Sequence, residues 1–192
     1  MNRIQFIKII LLRLTLIGLL LILVIHALPA QIQYTRHFSR ALEKCQATFV
    51  APVEGWYKIK MLRDQFGPKY DLALQSEDRE FEMHFSLDPE YRANVPHITC
   101  LTTASTLAIN MDRFDIKVNV FTDEQCRAFF NADWAAYADF IPKPSLTDKQ
   151  FGRLVTIFRE GKGMIQEVFF FNWHDDEKDR RMYSVAFLPD NI

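Results

Sequence analysis

The stretch REFEMHFSL, residues 79–87, alternates without a break. Phe81, Met83, Phe85 and Leu87 fall on one side, and Glu80, Glu82, His84 and Ser86 on the other. Successive side chains of a strand point to opposite faces, so this period of two predicts a β-strand with one apolar face. Turn-forming residues bound it: Ser76-Glu77-Asp78 before, Asp88-Pro89 after. Upstream, Tyr70, Leu72 and Leu74 alternate with Asp71, Ala73 and Gln75. Before the turn Phe66-Gly67-Pro68-Lys69, Tyr57, Ile59 and Met61 alternate with Lys58 and Lys60. Strands joined by such short turns predict an antiparallel meander with one buried face.

Downstream the period changes. After Pro96 and His97, the positions Ile98, Leu101, Ser105 and Ala108 recur at helical intervals, which predicts a helix rich in small residues ending near Asn110. Residues 116–121 (IKVNVF) alternate again. Thr122 followed by Gln125 resembles a capping box and opens a second helix. That helix is predicted to carry Cys126, Phe129 and Phe130 inward, to continue or kink through Asn131-Ala132-Asp133-Trp134, and to end at Pro142-Lys143-Pro144. The last third reads as a three-stranded meander over 153–158, 164–173 and 181–188, with Glu160-Gly161-Lys162-Gly163 supplying a hairpin turn. The run Val168-Phe169-Phe170-Phe171 lacks alternation, so its strand is predicted to be central and covered on both faces.

The chain opens differently. Arg3, Lys8 and Arg13 are the sole charges before an apolar or small run, residues 14–25, followed by Pro29 and Ala30. A basic region, a 12-residue apolar run and a small-residue boundary read as a signal peptide or a retained signal-anchor helix. The run is short for a bilayer span, which takes about 20 residues. Either reading exports the remainder, because the positive charges stay inside. Residues 1–30 are thus assigned to the signal or anchor, 31–46 to a linker or short helix, and 47–192 to one globular domain. The whole chain has 192 residues and a net charge of −1; without the first thirty, 20 basic and 24 acidic residues remain. No basic excess exists to drive nucleic-acid binding. Membrane contact is expected only through an uncleaved N-terminal segment.

Three cysteines, Cys45, Cys100 and Cys126, stand at no metal-ligand or redox spacing. Three readings remain open: all are buried thiols, two form one bridge in an oxidising compartment, or one is a nucleophile. Glu80, Glu82 and His84 share a strand face over about 14 Å, too far apart for all three to ligate one ion. They are read as a polar sheet face neutralised by Lys58 and Lys60, or as a binding site. His174, Asp175, Asp176, Glu177 and Asp179 read as a solvated turn lacking the pattern of a calcium loop. No catalytic motif is found, and neither a metal nor a cofactor is expected. Trp56, Trp134 and Trp173 are core candidates; an exposed one, Trp134 above all, is a candidate partner anchor.

Four local features bear a family resemblance: Pro52 to Trp56 (Pro-x-x-Gly-Trp), Phe85-Ser86-Leu87-Asp88-Pro89, the acidic-then-Trp segment Asn131 to Trp134, and the Gly161-Lys162-Gly163 hairpin. With the element order, they make residues 47–188 resemble the fold shared by the PsbP subunit of photosystem II and the Mog-type Ran-binding protein. That resemblance implies an α+β domain: a central antiparallel sheet flanked by helices as an α/β/α sandwich. It also implies a protein-binding or assembly role, and it carries no catalytic residues across. The resulting expectation is an exported, non-enzymatic accessory factor of the bacterial envelope, periplasmic or secreted, acting on an unknown envelope protein. The alternative is a small-molecule or metal-binding module around Glu82 and His84.

Overall fold

A computed structural model describes residues 35–52, 55–59, 69–109, 116–172 and 180–190. The N-terminal signal or anchor, Lys60 and Met61, Trp173 and the acidic turn from His174 to Asp179 lie outside the described residues. Among the described residues, no helix is long and apolar enough to cross a membrane.

The first element is helix α1 (Arg36–Cys45). Thr35 caps it by accepting the Phe38 N–H at 3.1 Å, and Gln46 ends it in the left-handed conformation. Phe38, Ala41 and Cys45, spaced to share one face, are buried in the core. The helix is therefore part of the packed unit: of the two readings of residues 31–46, linker or short helix, the short helix is the one formed over Arg36–Cys45.

Strand β1 (Ala47–Phe49) follows, then β2 (Trp56–Lys58), β3 (Leu72–Ser76), β4 (Phe81–Asp88), helix α2 (Pro96–Leu107) and β5 (Val118–Val120). A short α-turn, α3 (Asp123–Gln125), runs into a π-helix (Cys126–Phe130) and then β6 (Trp134–Phe140), β7 (Phe151–Arg159), β8 (Gly163–Phe171) and β9 (Val185–Phe187). Seven strands form one antiparallel sheet in the order β2-β3-β4-β8-β7-β6-β5, so the fold is an α+β mix around an antiparallel sheet.

Central placement of β8 agrees with its unbroken apolar run: all nine residues are buried between β4 and β7. Alternation divides the core. On one face Phe81, Met83 and Phe85 of β4 join Val155, Ile157, Ile165 and Phe169, with α1 and the π-helix packed over them. On the other, Leu154, Val168 and Phe170 meet Cys100, Ala104 and Leu107 of α2. The β3–β4 meander thus has two covered faces rather than one.

Three further expectations are corrected. Residues 134–140 (WAAYADF) form a strand, not the end of a helix. Alanine favours helices locally, but Ala135, Ala136 and Ala138 are fully buried beside β7, and tertiary packing overrides propensity. Helix α2 turns Cys100, Ala104 and Leu107 inward, not Ile98, which is exposed. Small side chains there let the helix approach the alanine-rich β6. Finally, β9 does not extend the meander: it pairs with β1 as a separate two-stranded ribbon, Thr48 opposite Ala186. Strand β8 already has a partner on each edge, so the chain leaving it has no free edge to join.

The capping box is present in full. Thr122 accepts the Gln125 N–H at 3.2 Å, and the Gln125 side chain accepts the Thr122 N–H at 3.0 Å. Cys126 and Phe130 point inward as expected, whereas Phe129 is exposed.

Candidate functional site

On the α2 side of the sheet, β4 carries Glu82 and His84 into the interior, 7% and 5% exposed. Their burial corrects the expectation of a solvated polar face. Glu82 does not meet Lys58, which stands opposite Leu74 two strands from β4. Its Oε1 accepts from Gln75 Nε2 at 3.0 Å and lies 3.8 Å from Lys149 Nζ. Its Oε2 lies 3.1 Å from His84 Nε2. A carboxylate only accepts, so His84 donates in this contact through Nε2. The ring stands edge-to-face between Tyr70 at 5.0 Å and Phe170 at 5.1 Å.

His84 Nδ1 and the Tyr70 hydroxyl are both buried without a hydrogen-bond partner among the described residues. Burial also pushes the Tyr70 hydroxyl upward, holding it as the neutral phenol. Lys149 is itself buried and is paired with the exposed Asp148 as well as Glu82. Glu80 stands apart from this group: its carboxylate accepts from Asn172 Nδ2 at 2.6 Å, just before β4 begins. No three acidic, histidine or cysteine side chains among the described residues converge as a metal-ligand set.

The sequence pattern pointed to Glu82 and His84 but not to Lys149 or Tyr70. Lys149 arrives from a connection 65 positions beyond His84 in the chain, and no local spacing signals such a partner. Trp134 is not an exposed anchor: it is half-buried against the α2 side of the core, opposite Phe158. Trp56 is also half-buried, 5.6 Å from Phe81 and beneath the Arg181 guanidinium.

Two other features stand out. Phe129 and Tyr183 are 45% and 39% exposed, with ring centroids 4.8 Å apart, where the π-helix meets the approach to β9. Tyr183 also stacks on the buried Phe130 at 5.6 Å. π-helical turns are uncommon and are found often at functional sites. On the opposite side of β8 from His84, Glu167 is wholly buried at the centre of the sheet, opposite Phe85 and Val155. Burial raises its carboxyl well above the usual range, against the opposing pull of bonds from Ser184 and Val185. Its position in a strand read as covered on both faces was a usable signal.

All three cysteines are free and buried, so neither a bridge nor an accessible nucleophile is formed. Burial raises the Cys45 thiol to about 12 and the Cys100 thiol to about 11, and raises Cys126 as well. The thiolate is the reactive form. Native protein treated with iodoacetamide at pH 8 is therefore expected to stay unlabelled by mass spectrometry over minutes, while urea-unfolded protein takes up three labels. Rapid native labelling would contradict the buried arrangement.

Compared with known proteins, the chain matches no family model, no curated protein and no solved structure.

Proposed function

We propose that the protein is an exported, non-enzymatic binding factor of the bacterial envelope that engages another protein through the Phe129–Tyr183 face. The observation that carries this reading is the touching, exposed aromatic pair formed by Phe129 of the π-helical turn and Tyr183 before β9. Aromatic side chains supply large contact area at low entropic cost and are enriched at binding hot spots. Export rests on the basic and then apolar N-terminal sequence. The PsbP-like and Mog-type α/β/α sandwich remains the finer architectural proposal. Apolar clusters on both sheet faces, each with a helix, support it. Against it, Asn131 to Trp134 leads into a strand instead of following a long helix.

The test is a photo-crosslinking residue placed at position 129 in cells, with the partly exposed Thr106 on α2 as the control position. A discrete adduct at 129, absent at 106 and lost when Tyr183→Ala is added, is the expected result. The Phe129→Ala/Tyr183→Ala pair should keep the fold at a cost of about 1–3 kcal/mol, because the Tyr183 ring also stacks on Phe130. No adduct at 129 beyond that at 106 would discard the reading.

A second reading has its own observation. His84 Nδ1 and the Tyr70 hydroxyl are buried and unpartnered beside Glu82, as expected of a small-molecule or metal site. Ligand-induced melting shifts that survive both Glu82→Gln and His84→Gln would remove it.

A further inference from the structure

The two-stranded ribbon of β1 and β9 meets the main sheet at a carboxyl group. Ser184 Oγ donates to Glu167 Oε2 at 3.0 Å, and the Val185 N–H also donates to this carboxyl. Ser184 in turn accepts the Val50 N–H through its carbonyl at 2.8 Å, so one turn ties both ribbon strands to β8. Immediately before Ser184 stands Tyr183, whose ring rests on Phe129 and Phe130. Position of the ribbon and presentation of the aromatic pair are therefore set by the same few residues.

We propose that Glu167 is a proton-dependent latch: as the neutral acid it holds the β1/β9 ribbon on the sheet, and on losing its proton to solvent it lets the ribbon move away. The regulation of docking that follows rests on reading the Phe129–Tyr183 face as the binding surface; the latch itself does not.

Glu167 is fully buried, and its Oε1 has no hydrogen-bond partner among the described residues. Across the ladder stand Phe85 of β4 and Val155 of β7; along β8 the same face carries Ile165 and Phe169. Of the charged residues on this face, Arg153 of β7 is committed elsewhere. It makes two bonds to Asp139, at 2.6 and 2.9 Å, and its guanidinium lies 4.5 Å from the Tyr137 ring centre. Its Nη1 also reaches Met182 Sδ at 3.9 Å.

Of the helices over this face, α1 turns Cys45 inward and keeps Arg36, His37, Arg40, Glu43 and Lys44 exposed. His37 pairs with Asp71, whose other oxygen accepts the Leu87 N–H at 2.8 Å. Asp71 and Asp88 act on Cys45, which stays a thiol up to about 12. From α3 and the π-helix, Asp123, Glu124 and Arg127 are exposed and Cys126 is a raised thiol. Before β9, Arg180 is exposed and the Arg181 guanidinium lies over the Trp56 ring, and none of these groups supplies a compensating charge to the carboxylate.

A buried carboxylate with no counter-charge is unstable against exposure to water. Two routes hydrate it: unfolding the sheet, or moving the thin ribbon that covers it. The ribbon has three residue pairs, whereas β8 has eight with β4 and nine with β7. Short elements open first. The sign follows from linkage. The folded carboxyl is raised, so the closed state holds a proton that the opened state has lost. Closure is fullest below the ordinary carboxyl pKa and is lost as pH rises through the raised one.

Hydrogen exchange of the full chain tests this, with each rate divided by the intrinsic chemical rate at that pH. In the wild type, protection of the ribbon amides is expected to fall tenfold or more between pH 5.5 and 8.5, while that of β7 changes little. Glu167→Gln keeps a neutral acceptor for Ser184 and should hold ribbon protection constant over the same range. Ribbon protection that is flat in the wild type, or that falls equally in Glu167→Gln, overturns the latch. Should the variant fail to fold, the wild type still decides. A protonated-carboxyl C=O infrared band that disappears over the range in which the ribbon opens supports the latch, and a carboxylate present throughout overturns it. Ribbon opening with no crosslink at position 129 keeps the latch and discards only the docking surface.

Discussion

Gly163→Ala is expected to cost about 4 kcal/mol of stability, a large share of the ~5–15 kcal/mol that holds a domain of this kind folded. Gly163 opens the central strand β8 at φ +106°, and a Cβ placed there would stand 2.2 Å from the Asp88 carbonyl oxygen and 2.8 Å from the Pro89 Cα. Both obstacles are backbone, on the end of β4, so no rotamer change relieves them. The backbone conformation contributes about 1–2 kcal/mol and the overpacking about 1–3 kcal/mol. Gly161, two residues earlier in the same turn, also has a positive φ of +77°, but nothing lies within 4 Å of its added Cβ. Gly161→Ala should therefore lose only about 1–2 kcal/mol. Urea unfolding of the two variants decides: equal losses would mean that backbone conformation alone governs the turn and that the β4 contact is unimportant.

Lys149→Met is expected to cost about 3 kcal/mol, because it leaves the Glu82 carboxylate buried without a cation. The loss should fall at the lower end of the range for buried pairs. At 3.8 Å the pair is not tight, and Gln75 and His84 remain as partners. The exposed Asp148 adds little to what Lys149 contributes, since solvent screens that contact. Adding Glu82→Gln to Lys149→Met removes the stranded charge and should recover the parent stability to within about 1 kcal/mol. Additive losses in the double variant would show that Lys149 acts through packing of its stem and not through Glu82. The same pair bears on the second functional reading, since a ligand at His84 Nδ1 relies on a carboxylate kept in place behind the imidazole.

Regions governed by side-chain periodicity were legible in the sequence. β4 was read correctly by face because Phe81, Met83, Phe85 and Leu87 face one core cluster without interruption. The central position of β8 was legible for a related reason: the run Val168-Phe169-Phe170-Phe171, apolar on both faces, needs cover on both sides. Strand β6 was not legible. Trp-Ala-Ala-Tyr-Ala is as compatible with a helix as with a strand, and only its place between β5 and β7 selects the extended form. The inward face of α2 was misread for a similar reason. With Thr, Ser, Ala and Cys on every side the helix has almost no polarity contrast, and the surface it meets decides which small residues are buried.

The candidate site divides along the same line. Glu82 and His84 were visible as a polar face two residues apart, but their burial and their partners Lys149 and Tyr70 were not. Those come from the order β3-β4-β8 and from connections that cross the sheet. By itself the sequence determined what depends on neighbours within a few positions: the faces of β4, the Thr122 cap and the Gly161-Lys162-Gly163 turn. Tertiary structure alone decided which polar groups left water, because desolvation depends on what covers a residue and not on what precedes it. It thereby turned an ordinary strand glutamate into the buried acid Glu167, and a phenylalanine expected in the core into the exposed Phe129.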